Sequence, residues 1–234
     1  MNVYALLTGQ TLDIDENLII IERPDTKRTP NSGTTTASRQ TIFTGQATYK
    51  ALNRLKKELE CGKTIEELDG REYFEEYSCT TDPIDTTKEN PFSHVKYGYA
   101  VQVVVLDDMG KVQKVYAIYD AGQIINKKSA EGQVEGGIIM GLGYALTEDY
   151  ILNNCIPQQN FAKLGLFRAN QTPDMEVMFV NRDIEHDLSY GAKGLGELAT
   201  IPTAPAVAGA YYKFDGLHRT KLPLDDTAYR KSKQ

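Results

Sequence analysis

The sequence predicts an α+β fold, because short runs with strand chemistry are interleaved with stretches of helical spacing, and two of those runs are joined by a tight turn. The clearest element is a hairpin. Tyr97 to Leu106 is rich in valine and aromatic residues, Asp107-Asp108-Met109-Gly110 has turn chemistry, and Val112 to Tyr119 returns as the partner strand. Helical spacing is plainest after Ser38. Apolar residues stand there at Phe43, Ala47, Ala51, Leu55 and Leu59, and Cys61-Gly62 supplies a stop.

In chain order, Leu18-Ile19-Ile20-Ile21 predicts a short strand, ended by the polar run that contains Pro24. Residues 30 to 38 are small and hydroxyl-rich and read as a loop that feeds the first helix. Residues 62–94 are polar, carry Asp82-Pro83 and Asn90-Pro91, and predict a surface excursion with a short helix near Thr64 to Leu68. A second helix is predicted from Ser129 to Asp149, although it contains Gly132, Gly136, Gly137, Gly141 and Gly143. Each interior glycine costs ~1 kcal/mol relative to alanine, so such a helix implies deep burial and close backbone approach along its length. Residues 175–181 predict a further strand, and Leu198 to Phe214 a third helix with Pro202 in its early part.

Composition bounds the function. The chain has 234 residues, 41% hydrophobic and 25% charged, enough for one large domain or two small ones. A net charge of -6 argues against nucleic acid and anionic membrane surfaces as partners. No apolar run reaches the ~20 residues that cross a bilayer, and Met1 to Thr11 has no signal-peptide pattern, so a cytoplasmic location is expected. Cys61, Cys79 and Cys155 are far apart and form no C-x-x-C pair, which argues against a disulfide framework, structural zinc or an iron–sulfur cluster. Electron-transfer centres are then expected on other chains.

Three segments carry the chemistry. Gly33-Thr34-Thr35-Thr36-Ala37-Ser38-Arg39-Gln40-Thr41 is a glycine-and-hydroxyl loop running into a helix. Such a terminus offers amides and hydroxyls to a phosphate, or Ser38 or Thr36 simply caps its own first turn. The second segment runs from Asp120 to Asn126 and on through Glu131-Gly132-Gln133-Val134-Glu135-Gly136-Gly137. A buried Gln133 would offer donors and an acceptor to a flat heterocycle, and a solvated one would offer nothing. The third, Gly191-Ala192-Lys193-Gly194-Leu195-Gly196-Glu197, ends in a carboxylate between glycines and the last helix. Partly desolvated, that carboxylate would suit a general base, and otherwise it is an acidic residue at a helix start. The order G-x-x-G-x-G is not the dinucleotide fingerprint.

Together and in this order, these segments resemble the molybdopterin-binding half of the molybdenum subunit of xanthine dehydrogenases and aldehyde oxidases, bacterial xanthine dehydrogenases in particular. Gly45-Gln46-Ala47, the Asp82-Pro83 region and Tyr97-Gly98-Tyr99 extend the likeness across nearly the whole chain. The resemblance implies mixed sheets with packed helices, and that residues 1–234 are the C-terminal part of a molybdopterin-binding domain whose upstream half lies elsewhere. It implies a hydroxylase acting on an electrophilic C–H carbon of a purine, another N-heterocycle or an aldehyde, with oxygen derived from water. Glu197 matches the family's general base. Thr35, Thr36, Ala37, Ser38, Arg39, Gln40 and Thr41 match the loop around the pterin, with Ala37 beside the metal, and Gln133, Gly194 and Gly196 match further cofactor contacts.

No protein side chain in the family ligates the molybdenum, which the pterin holds. The cofactor is expected as molybdopterin or its cytosine dinucleotide, with iron–sulfur clusters and FAD on partner subunits, alongside the N-terminal portion of the molybdenum subunit. The competing reading is a non-catalytic assembly module, or one that binds a phosphate-bearing ligand.

Overall fold

Two helices and a cross-connection organise one part of the chain, and a three-stranded sheet organises the other, in a computed structural model that describes residues 3–180 and 188–230. The first part comprises Met1–Tyr97, Ala121–Lys127 and Asn181–Gly194, and the second Gly98–Asp120, Lys128–Val180 and Leu195–Gln234.

In the first part, α1 (Val3–Leu12) packs on α2 (Gln40–Glu60). Leu7 and Ile42 are buried there, and a Cβ on Gly45 would lie 4.0 Å from Leu7 Cδ1 and 3.5 Å from Ser189 Oγ. The α2 helix follows the predicted apolar spacing and stops at Gly62, whose φ of +92° only glycine adopts without strain. Residues 188–191 brace α2. The Ser189 amide donates to Gln46 Oε1 (2.7 Å), its hydroxyl donates to the Ile42 carbonyl, and Tyr190 stands edge-on to Tyr49 with ring centres 5.0 Å apart.

The N-terminal segment differs from the sequence expectation. Helix α1 is an addition to the predicted elements, and Leu18 to Ile21 form no strand: Leu18 ends a 3-10 turn, Glu16–Leu18, and residues 19–21 are irregular. Leu18 and Ile20 are 74% and 88% exposed. An apolar run becomes a strand only when a neighbour completes its hydrogen-bond ladder, and no described strand pairs with it. Residues 62–94 carry one short 3-10 turn, Glu66–Leu68, and are mostly exposed.

In the second part, β1 (Tyr99–Leu106) and β2 (Val112–Asp120) pair antiparallel, and β2 pairs parallel with β5 (Asp174–Phe179), so the sheet is mixed in the order β1-β2-β5. The predicted 107–110 turn closes the hairpin. Gly110 takes φ +77°, and Asp107 Oδ1 accepts from the Met109 and Lys111 amides at 2.9 and 2.8 Å. Asn181, the last residue of the predicted 175–181 strand, lies outside the described residues. A small hairpin, β3 (Leu152–Asn153) with β4 (Ile156–Pro157), lies between α3 (Lys127–Leu146) and β5.

Val134, Ile138, Leu142, Ala145 and Leu146 of α3 join Val115, Ala117 and Tyr119 of β2 and Val207 and Tyr211 of α4 (Thr203–Asp215) in one core. The glycines of α3 divide into two sets. A Cβ on Gly137 would meet Ala199 Cβ at 2.5 Å, one on Gly141 would meet Thr203 Cβ at 2.5 Å, and one on Gly143 would meet Glu148 Oε1 at 2.2 Å. Gly132 and Gly136 have nothing within 4 Å of that position, so the deep burial expected of the whole helix holds for one face only. The other face is open, with Met140 66% and Tyr144 59% exposed.

The last helix also starts later than predicted. Residues 196–202 are turn, and Pro202 is the N-cap of α4 rather than an interior residue. Proline lacks the amide that an interior position must donate, whereas the residues at a helix start need none.

Candidate functional site

The glycine-and-hydroxyl loop belongs to the first part of the chain. Residues 31–37, which include Thr35, Thr36 and Ala37, are exposed, while Ser38, Arg39, Gln40 and Thr41 are half-buried. Ala37 and Ser38 both adopt left-handed backbone, φ +51° and +50°, which costs non-glycine residues roughly 1–3 kcal/mol each and gathers at functional positions. The loop is tied to itself: Arg39 Nη2 donates to the Thr34 carbonyl (2.7 Å), and the Thr35 hydroxyl donates to Gln40 Oε1 (3.1 Å).

The expectation that Ser38 or Thr36 caps the helix fails. The N-cap of α2 is Arg39, with no side-chain cap hydrogen bond, so the first amides of α2 have no acceptor within the helix. Gly194 lies against this loop. A Cβ there would come within 2.8 Å of both Ser38 Cβ and the Ser38 carbonyl oxygen. The backbone leading to Gly194 is fixed by a bridge between Gly122 and Ala192, in which the Lys193 amide donates to the Ala121 carbonyl (3.0 Å) and the Gln123 amide to the Gly191 carbonyl (3.1 Å). Uncapped amides, a row of hydroxyls and a left-handed turn form a donor set suited to phosphate and to the polar edge of a pterin. The molybdenum cofactor therefore fits the residues present in this part.

Between Gly194 and Leu195 the chain passes into the second part, which holds Gly196, Glu197 and Gln133. Gly196 and Glu197 are exposed on a turn. The turn itself is tightly made. The Glu197 carbonyl accepts from the Thr200 and Ile201 amides at 3.1 and 3.3 Å, and the Leu195 carbonyl accepts from the Ala199 amide at 3.3 Å. Leu198 seats on Gly98, where a Cβ would lie 2.6 Å from Leu198 Cδ2, and Ala199 seats on Gly137.

Two side chains absent from the sequence reading meet this turn: Tyr119 Oη donates to the Ala199 carbonyl at 3.0 Å, and Gln102 Nε2 reaches the same carbonyl at 3.3 Å. Burial pushes the Tyr119 phenol above its ordinary range, and the hydrogen bond from Gln102 opposes that rise. The available signal was Gln102 itself, a polar residue at an inward position of an otherwise apolar strand. Gln133 is exposed on the open face of α3 between Gly132 and Gly136, not buried.

Cys61, Cys79 and Cys155 are free thiols, and among the described residues no cluster of His, Cys, Asp or Glu could hold a metal. No described helix is long and apolar enough to cross a membrane.

The fold is thus α+β, with a donor-rich loop in one part and a carboxylate on a packed turn in the other. Comparison with known proteins gives the family: the model of the molybdopterin cofactor-binding domain matches residues 2–64 and 63–173, and the chain belongs to it. The putative xanthine dehydrogenase molybdenum-binding subunit of Escherichia coli K12 is 34% identical over 116 residues, covering 48% of this chain and 15% of that protein. The gamma subunit of the 6-hydroxypseudooxynicotine dehydrogenase complex of Paenarthrobacter nicotinovorans is 26% identical over 95% of this chain and 33% of its own length. Among solved structures, the aldehyde oxidoreductase of Desulfovibrio gigas superposes with a TM-score of 0.81 at 26% identity, covering 94% of this chain and 26% of that one. The chain thus spans a third or less of each of these relatives.

Proposed function

We propose that this chain supplies part of the active site of a molybdenum hydroxylase, with Glu197 as general base. The observation that carries the reading is the presentation of Glu197: an exposed carboxylate on a turn whose following residues are locked into the core. A base must meet its proton within hydrogen-bond reach and in a fixed orientation, and a carboxylate whose backbone cannot drift meets the second requirement.

The loop at Thr35 to Thr41, with Gly194 against it, holds the cofactor through amides and hydroxyls, and Gln133 and Gly196 are proposed as further cofactor contacts. Bound there, the molybdenum cofactor supplies the two-electron redox chemistry that no side chain of the protein offers. The substrate is an electrophilic C–H carbon of a purine, another N-heterocycle or an aldehyde, and the oxygen inserted derives from water. The relatives, a xanthine dehydrogenase molybdenum-binding subunit, a subunit of a dehydrogenase complex and an aldehyde oxidoreductase, support that range and a multi-subunit setting, in which iron–sulfur and FAD partners form part of the proposal.

The test is Glu197→Gln in the assembled, cofactor-loaded enzyme. Molybdenum content and melting temperature should stay at parent values while turnover falls by about 10²- to 10⁴-fold, the usual scale for a lost general base. Turnover within twofold of the parent refutes the role.

A further inference from the structure

We infer that Tyr119 and Gln102 are positioning residues for Glu197, acting through the carbonyl of Ala199; this rests on the reading of Glu197 as the base. The turn is held by different means on its two sides. Toward solvent it offers Gly196, Glu197 and Ile201, the last 66% exposed. Toward the core, Ala199 is fully buried, its methyl presses on Gly137, and its carbonyl takes the Tyr119 hydroxyl and the Gln102 amide.

The two donors are linked to one another, since Gln102 Nε2 also donates to Tyr119 Oη at 2.5 Å. This fixes the direction of the phenol: with Gln102 donating to its oxygen, the Tyr119 proton is directed to Ala199. Gln102 Oε1, by contrast, is buried and no described group donates to it. An unmet buried acceptor costs roughly 1–3 kcal/mol, and an apolar side chain of the same shape would remove that cost. A glutamine kept there at that cost, with its amide committed to Tyr119 and Ala199, points to a need for the orientation it imposes.

Ala199 lies two residues from Glu197, and the Glu197 carbonyl closes the same turn by accepting from Thr200 and Ile201. Any rotation of the Ala199 carbonyl therefore moves the backbone from which the Glu197 carboxylate projects. Misplacement of a reacting group by ~1 Å costs on the order of 10²-fold in rate, so a partial loosening should be visible in turnover.

The experiment uses the assembled enzyme with Tyr119→Phe, which keeps the buried ring and removes only the hydroxyl, and Gln102→Met, of similar volume, as a second variant should the first fold poorly. Each should keep KM within about twofold and molybdenum content at the parent value, lower kcat roughly tenfold, and shift the acidic limb of the pH–rate profile. Hydrogen exchange of the Thr200 and Ile201 amides should accelerate while the β1–β2 ladder stays protected.

The deciding measurement is a double-mutant cycle with Glu197→Gln. A residue that acts only through Glu197 has no further effect on turnover once Glu197 is gone, whereas a general structural defect persists additively. Parent-like kcat, pH profile and exchange in both variants, or additive losses in the cycle, overturn the positioning role while leaving Glu197 as base. Full activity of Glu197→Gln alone overturns the base assignment instead.

Discussion

The loop before α2 and the turn before α4 are both short, glycine-marked segments that lead into a helix, yet they are held by opposite means. The loop at 33–39 is exposed and tied mainly by its own hydrogen bonds, with left-handed Ala37 and Ser38 storing local strain. The turn at 195–200 is closed by backbone bonds and held from outside: Leu198 and Ala199 are wedged against Gly98 and Gly137, and the Ala199 carbonyl is gripped by Tyr119 and Gln102. A loop set by local chemistry can adapt to the ligand it wraps. A turn set by packing is placed by residues far away in the chain, as a group that must be presented in one orientation requires.

The sharpest way to break this contrast is at Ala37. Replacement by Phe puts a bulky side chain on left-handed backbone in the loop proposed to face the cofactor, and molybdenum retention in the assembled enzyme should be lost while circular dichroism stays that of the parent. Ala37→Gly, which removes the left-handed penalty, should retain molybdenum. Full loading of the Phe variant would show that the loop does not approach the cofactor.

Alkali should separate the two parts next. Burial raises Tyr119, Tyr211 and Tyr229 in the second part, with Tyr211 pushed up to about 12, against Tyr77 and Tyr190 in the first. A phenol whose folded pKa lies above its unfolded value of about 10 contributes stability that is intact below pH ~10 and is lost as pH rises through the folded value. For Tyr211 that amounts to roughly 2–3 kcal/mol between pH ~10 and ~12. Urea midpoints at pH 9 and pH 11 should fall most for the transition of the second part, and Tyr211→Phe should flatten that fall. An unchanged pH dependence in the variant would contradict this.

The smallest effect, and the one that tests packing most directly, is a pair of alanine substitutions in α3. Gly137→Ala forces a methyl against Ala199 at 2.5 Å and should destabilise by about 1–3 kcal/mol. Gly136→Ala meets nothing within 4 Å and should stabilise the helix by up to about 1 kcal/mol in the isolated chain. Equal shifts in urea midpoint for both would mean that the turn does not lean on Gly137.

Local chemistry decided a good deal here. The 107–110 turn, the valine-rich and aromatic strand β1 with its partner β2, the spacing and glycine stop of α2, and the order of the segments that mark the family all depend on residues near one another in sequence, whose preferences hold wherever the chain goes. Glu197 was legible as a candidate for the same reason: a carboxylate between glycines next to a helix is a local pattern.

Only the tertiary structure decided which glycines of α3 are packed, that Leu18 to Ile21 has no ladder to join, that Pro202 stands at a helix start, and that Glu197 and Gln133 are exposed. It also decided the grip of Tyr119 and Gln102 on Ala199, across 80 and 97 positions of chain. Each of these depends on which surface comes to lie against another. Burial and long-range hydrogen bonding are properties of a pair of segments, and no preference within either segment encodes its partner.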